Sequence, residues 1–355
     1  DRFGESVDLH GDVLIVGADG EDSSIPGNQG HEEFGLADGS GAAYVFERGE
    51  GGWGQVAFLK APNSDPGDYF GNAVAVHGST IAVAAMGEDS ASTGVDGDQT
   101  DNSLDSSGAV HVFERVCGEW IPGAYVKASN PDAFDFFGLS VALANDLLVV
   151  GAAEASSATG VNGNQDDNSA YSSGAAYIFE RVDNTWKQTA YLKASNTRTL
   201  TTFGRAVAAA PNLVVVGAEY EDGSGRGVNA DQGLFEATNS GAAYVFERVD
   251  EGWVQTAYLK APNADAGDRF GTSVAAARDT IVVGARGEDS AATGIDGEQG
   301  DNEVSDAGAA YVYRRDQRRW KMVAYVKPSS THELDVFGSA VALSGDTVSV
   351  GAHLD

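Results

Sequence analysis

The sequence predicts an all-β protein, a β-propeller built from four-stranded antiparallel blades. Three observations predict it. One phrase returns about every 67 residues, marked by the pairs Phe3-Gly4, Phe70-Gly71, Phe137-Gly138, Phe203-Gly204, Phe270-Gly271 and Phe337-Gly338. Each interval holds four runs rich in Val, Ile, Tyr and Phe, and none shows helical periodicity with caps. Aromatic residues keep fixed places in the repeat: Trp53, Trp120, Trp186, Trp253 and Trp320 share one, and Tyr44, Tyr177, Tyr244 and Tyr311 share another, where the second repeat has His111. Aromatics locked to a repeat are blade packing, because a single four-stranded sheet cannot bury both faces and its neighbours supply the cover.

The fifth repeat shows each element. Strand one is FGTSVAAA from Phe270, followed by an Arg-Asp turn and strand two, Thr280 to Ala285. A long polar link, Arg286 to Ala307, leads to strand three, GAAYVYRR from Gly308, and strand four, WKMVAYVKP, starts at Trp320. Strand two is almost wholly apolar, as expected where both faces are covered. Strand four alternates, which places it outermost and half-exposed. The whole chain, 1–355, reads as a single propeller domain with repeats at about 3–69, 70–136, 137–202, 203–269 and 270–336 and a partial one at 337–355. Five full units and half of a sixth do not close a ring of whole blades. The expectation is a truncated ring of six or seven blades, completed outside this sequence or by strands of another chain through the incomplete end blades.

The formal net charge of -31 excludes a nucleic-acid partner and an anionic membrane surface. Cations are the natural partners, although solubility or a salty habitat accounts for the acidity equally well. With 42% hydrophobic residues and 46 glycines, the chain packs a core and turns often, so it is not disordered. Cys117 is the single cysteine, which rules out an internal disulfide, and it reads as an incidental exposed thiol in a turn. No Asn-x-Ser/Thr acceptor, no signal peptide and no apolar run long enough to span a membrane is visible. The chain opens in mid-phrase and stops half-way through a repeat, as a fragment or processed piece of something longer does.

The acidic residues concentrate in the links between strands two and three. The second repeat offers Asp96, Asp98, Asp101 and Asn102; the third Asn162, Asn164, Asp166, Asp167 and Asn168; the fifth Asp296, Glu298, Asp301 and Asn302. The fourth is reduced to Asn229 and Asp231, and the first diverges, with Asn28, Glu32 and Glu33. Asp or Asn at alternate positions with Gly between can turn two side chains inward, and calcium takes six to eight oxygens at flexible geometry. The pattern therefore reads either as a calcium loop, distinct from an EF-hand, or as a hairpin held by Asx turns. A Gly-Glu-Asp follows strand two as Gly87-Glu88-Asp89 and Gly287-Glu288-Asp289, and reads as a structural cap or a metal ligand. In an up-and-down blade these links share an end with the four-to-one links, such as those holding Asp65, Asp68, Asp265 and Asp268, so most negative charge falls on one face.

The phrase FG-x-x-V-A, then VVGA, then GAAYVF, resembles the FG-GAP repeats of integrin alpha-subunit propellers, and the link style is similar to bacterial extracellular FG-GAP proteins. The resemblance covers essentially the whole chain. It implies a seven-bladed propeller that is secreted or on a cell surface, binds calcium and serves adhesion or recognition. One departure is plain. Integrin blades hold calcium between strands one and two, where this chain has turns too short for it, near Gly11, Gly78, Asn145 and Arg278.

Signals of catalysis are weak. The histidines, His10, His31, His77, His111, His332 and His353, share no repeat position or metal-ligand spacing, and no nucleophile elbow occurs. A specific ligand site would use the least regular stretches: Gly27 to Ser40, Thr197 to Thr202 and Tyr220 to Asn239. The expectation is a non-enzymatic, extracellular, calcium-assisted propeller that binds a protein or glycan partner at its long-loop face. The alternatives are a subunit of a surface layer or fibre, and a hydrolase or the accessory propeller of one.

Overall fold

The computed structural model describes residues 1–23, 37–250 and 252–353. Asn28, His31, Glu32, Glu33 and Glu251 lie outside the described residues, as does most of the first irregular stretch. Among the described residues there is no helix, and 22 strands form five four-stranded sheets and one two-stranded sheet. Each sheet is ordered as the chain runs. The first contains β1 (Val7–His10), β2 (Val13–Ala18), β3 (Ala42–Gly49) and β4 (Gly52–Leu59); the second β5 (Phe70–His77), β6 (Thr80–Ala85), β7 (Ala109–Val116) and β8 (Glu119–Val126). The third contains β9 (Ser140–Ala144), β10 (Leu147–Ala152), β11 (Ala175–Val182) and β12 (Thr185–Leu192). The fourth contains β13 (Ala206–Ala210), β14 (Leu213–Ala218), β15 (Ala242–Val249) and β16 (Gly252–Leu259); the fifth β17 (Phe270–Ala277), β18 (Thr280–Ala285), β19 (Ala309–Asp316) and β20 (Arg319–Val326). The last pairs β21 (Ala340–Ser344) with β22 (Thr347–Gly351). These are the repeated blades that the periodicity predicts.

The chain divides into two compact units, Asp1–Glu154 with Tyr177–Thr189, and Ala155–Ala176 with Ala190–Asp355. Each has its own core. In the first, Ile15, Val45 and Leu59 pack with Val74, Ile81, Val83 and Phe113. In the second, Val215, Val245 and Leu259 pack with Ile281, Val283, Tyr311 and Tyr325. The second strands β6, β10 and β14 are buried along their whole length, which explains their unbroken apolar runs.

The repeated glycines set how one sheet meets the next. In the first unit Gly41, at φ 77, pairs with Phe70, and a Cβ there would stand 2.1 Å from the Phe70 carbonyl oxygen. Gly71, at φ 97, would put a Cβ 2.3 Å from the Ala42 carbonyl oxygen. No side chain fits at either place, so the Phe-Gly of one repeat and the Gly-Ala of the repeat before it are two halves of one contact. It recurs in the second unit between Gly241 and Phe270 and between Gly308 and Phe337. The phenylalanine then closes an aromatic cluster: Phe270 stands 5.3 Å from Tyr311 and 6.3 Å from Tyr313, ring centre to ring centre. Trp120, Trp186, Trp253 and Trp320 are buried, while Trp53 is exposed.

Candidate recognition surface

The long two-to-three links are anchored by a buried ion pair that recurs along the chain. In the second repeat, Lys127 Nζ donates to Glu88 Oε2 at 2.8 Å and to Ser107 Oγ at 2.7 Å. The lysine at the end of strand four thus ties the start of the link to its end. Glu88 also accepts from the Tyr125 hydroxyl at 2.6 Å, the Ser90 amide at 3.1 Å and Asn63 Nδ2 at 3.2 Å. Lys60 with Glu21, Lys260 with Glu221 and Lys327 with Glu288 repeat the pair at 2.8–3.0 Å. Lys193 of the third repeat donates to Ser173 Oγ at 2.8 Å. Burial pushes the Lys60, Lys127 and Lys260 ammonium groups below their ordinary pKa, and the carboxylate opposite each of them opposes that shift. A charge so buried is tolerable only when paired and hydrogen-bonded.

These lysines were missed as functional residues in the sequence. The signal was present, because Lys60, Lys127, Lys193, Lys260 and Lys327 hold one repeat position and a Glu follows strand two. A lysine ending an outer, alternating strand is ordinarily solvated, so the pattern does not advertise burial.

The sequence-predicted ligands lie in these links, where hydrogen bonds tie most of them to backbone amides. Asp96, Asn162, Asn229 and Asp296 all have φ of 54–57 and pin their link to strand four. Each side-chain oxygen accepts from the backbone amide of Tyr125, Tyr191, Tyr258 or Tyr325 at 2.9–3.0 Å. Asp98, Asn164, Asp231 and Glu298 each accept from the amide two residues on, the Asx-turn alternative. Asp101, Asp167 and Asp301 cross their links to the amides of Ala91, Ser157 and Ala291. Asn102 and Asn302 turn away to donate to Asp65 and Asp265. Asp166 and Asn168 are exposed in the third link. Hydrogen bonds hold Asp98 and Asp101 below the usual carboxylate range, chiefly from Thr100 and Ser103, and bring Asp167 down to about 2, chiefly from the Ser157 hydroxyl.

Among the described residues no group of three or more His, Cys, Asp or Glu side chains is placed to hold a metal ion. The short turns between strands one and two, such as Gly11-Asp12 and Gly78-Ser79, are two residues long. The turns between strands one and two are too short for a calcium loop, and oxygens of the long links accept the hydrogen bonds given above.

The two kinds of long link do meet. The backbone amides of Phe134, Leu200 and Leu334 in four-to-one links donate to the carbonyls of Asp105, Tyr171 and Ser305 in the preceding two-to-three links, at 2.8–3.0 Å. In each unit they form one surface at one end of the sheets. The four-to-one links carry the buried Asp68 and Asp268, each accepting from the amide three residues before it at 2.8 Å. Burial raises Asp68 to about 7 and Asp268 to about 8, with Glu88 and Glu288 adding to the rise. His10 and His77 stack at 4.1 Å beside the short turns, away from these links. No helix among the described residues is long and apolar enough to cross a membrane.

A repeated antiparallel four-stranded sheet, joined to its neighbour through paired Phe-Gly and Gly-Ala segments, defines a protein of the β-propeller class. The FG-GAP repeat model matches residues 1–46, 53–113, 120–179, 186–246, 253–313 and 320–355, and the chain belongs to the FG-GAP repeat family. No curated protein matches it. Among solved structures it is similar to a putative 6-phosphogluconolactonase from Bacteroides uniformis, at 10% identity and TM-score 0.41, covering 92% of this chain and 86% of that one. A Trypanosoma rangeli sialidase aligns at 13% identity and TM-score 0.43, covering 98% of this chain and 51% of the sialidase. A hypothetical selenium-binding protein from Sulfolobus tokodaii aligns at 8% identity and TM-score 0.41, covering 94% and 68%. Likeness of this degree carries nothing about activity.

Proposed function

We propose that this FG-GAP repeat chain is a non-catalytic recognition scaffold whose binding surface is the end of the sheets formed by the two-to-three and four-to-one links. The observation that carries this reading is the interlocking of those links, joined by backbone bonds such as Leu200 to Tyr171 and by side chains such as Asn102 to Asp65, and fixed by buried lysines. The opposite end has only short turns. Loops held on a rigid frame are where binding residues gather.

The buried carboxylates support a scaffold rather than an active site. Glu21, Glu88, Glu221 and Glu288 are each tied to the ammonium group of the lysine that ends strand four of the same repeat. Asp68 and Asp268 have raised pKa values, as catalytic acids often do, but each is 2–3% exposed and spent on its own link. Calcium is not needed to hold the links in this reading.

The test is to exchange the links one at a time for the shortest natural link and to measure binding to peptide libraries and glycan arrays, with turnover of glycosides and phosphoesters assayed alongside. Binding should follow the links and leave when they are replaced. Turnover abolished by one link exchange would refute the non-catalytic reading.

A further inference from the structure

Around the link between the third and fourth repeats, the second unit exposes apolar side chains that neither the fold nor the solvent favours. Tyr171 is 70% exposed, Leu200 56%, Leu234 46% and Phe235 37%. They belong to three neighbouring links. The Leu200 amide donates to the Tyr171 carbonyl at 2.9 Å, the Arg198 guanidinium lies 3.9 Å from the centre of the Phe235 ring, and Ser195 Oγ donates to Gln232 Oε1 at 2.7 Å.

Leu200 sits at a turn position common to the four-to-one links. Its φ is 65, a left-handed conformation that Phe134 and Leu334 share at the same place in their links, at φ 64 and 69, and that Gly67 and Gly267 adopt at φ 87 and 96. A leucine there is opposed by its own backbone, and its exposure is opposed by water. The position of Tyr171 is polar in the other repeats, where it is Asp38, Asp105, Thr238 or Ser305. Leu200 has exposed counterparts in Phe134 and Leu334, at 58% and 49%; what is particular here is Tyr171 bonded to it, together with Leu234 and Phe235 of the next link.

The charge of these links decides the partner. Asp166 and Asp167 precede Tyr171 in its link, and Asp231 and Glu236 flank Leu234 and Phe235 in theirs; Asp166, Asp231 and Glu236 are exposed. Arg198 is turned over the Phe235 ring, and the whole chain carries -31. Exposed apolar side chains in links that also carry exposed acids complement an apolar anchor flanked by cations. We propose that Tyr171, Leu200, Leu234 and Phe235 dock a cationic segment of another protein, which seats an aromatic or aliphatic side chain against Leu200 and Phe235 while its Lys or Arg residues reach the acids of these links. The inference rests on the recognition reading above and names the partner class for that surface.

The experiment is selection of a random peptide library on the full chain, followed by titration of the chosen peptides against wild type, Leu200→Gly, Tyr171→Ser and Phe134→Gly. The selected peptides should pair Lys or Arg with Trp, Phe or Leu. Their affinity should fall at least tenfold in Leu200→Gly and Tyr171→Ser, stay within twofold in Phe134→Gly, and weaken with salt. The melting temperature of Leu200→Gly should not fall, which separates loss of contact from loss of fold. Peptides unmoved by the two patch variants, or lost in Phe134→Gly, would overturn this inference and leave the broader one standing. Binding of glycans alone would do the same. If neither library nor array gave a ligand, both readings would fail.

Discussion

The Tyr311 hydroxyl donates to Asn263 Oδ1 at 2.8 Å, and in the second repeat His111 stands where that tyrosine would be, with Asn63 above it. Tyr177 with Asn130 and Tyr244 with Asn196 repeat the bond at 2.8 and 2.5 Å. An imidazole ends short of where a phenol oxygen would lie. His111 Nε2 and Asn63 Oδ1 are both buried without a protein partner, and burial brings the histidine down to about 3, so it stays neutral.

His111→Tyr should therefore stabilise the protein by about 1–2 kcal/mol, since it supplies the missing donor to a buried acceptor. Thermal unfolding checks this, with His111→Phe as the control. The phenylalanine fills space but leaves Asn63 unpaired, and it should recover little or none of the gain.

Lys127→Met should cost about 3–5 kcal/mol, because it leaves Glu88 buried with no counter-charge. Adding Glu88→Gln should restore much of that loss. Denaturant unfolding of the two single variants and the double variant measures the coupling. If the losses simply add, the ion pair is not what holds the link.

Gly41→Ala should destabilise by more than the roughly 1–2 kcal/mol of a left-handed alanine, because the new methyl also meets the Phe70 carbonyl. Gly54→Ala, on the exposed strand β4 with nothing within 4 Å of the added carbon, should be nearly neutral. Equal melting temperatures for the two would sink the account of the repeated glycines.

Asp68 and Asp268 give a pH dependence with a definite sign. Their native pKa values of about 7 and 8 lie above the ordinary 3.8. Between those limits the unfolded chain has released these protons and the native chain has not. Their contribution is thus fully present below about pH 4 and is lost as pH rises through 7 to 8. Asparagine keeps the acceptor for the Asp65 and Asp265 amides but does not titrate. The stability of Asp68→Asn/Asp268→Asn relative to wild type should rise from pH 5 to pH 8. A difference that stays flat over that range would contradict the raised values.

Chelator should leave the melting temperature unchanged within about a degree, since a ligand stabilises only the state that binds it and, among the described residues, no group of three or more His, Cys, Asp or Glu side chains is placed to hold a metal ion. A fall on chelation, restored by calcium, would require the links to rearrange around an ion.

Much of the fold was legible in the residues. Phe-Gly pairs at constant spacing, apolar second strands and aromatics in register allow one repeated sheet, because period-two patterning and fixed turns decide a strand locally. The strands of the fifth repeat begin within a residue or so of where they were read. The links were legible as positions but not as chemistry. Asp98 and Asp101 have the composition of a cation loop, and only the tertiary structure shows their oxygens accepting from Thr100 and Ala91. Lys127 reads as solvated in the sequence and is buried on Glu88, 39 residues away along the chain. The sequence by itself determined what repeats: the sheet, its four strands and the end from which the long links leave. Tertiary structure alone decided which polar groups face one another, because burial and pairing depend on residues brought together from distant links, and no local pattern encodes that meeting.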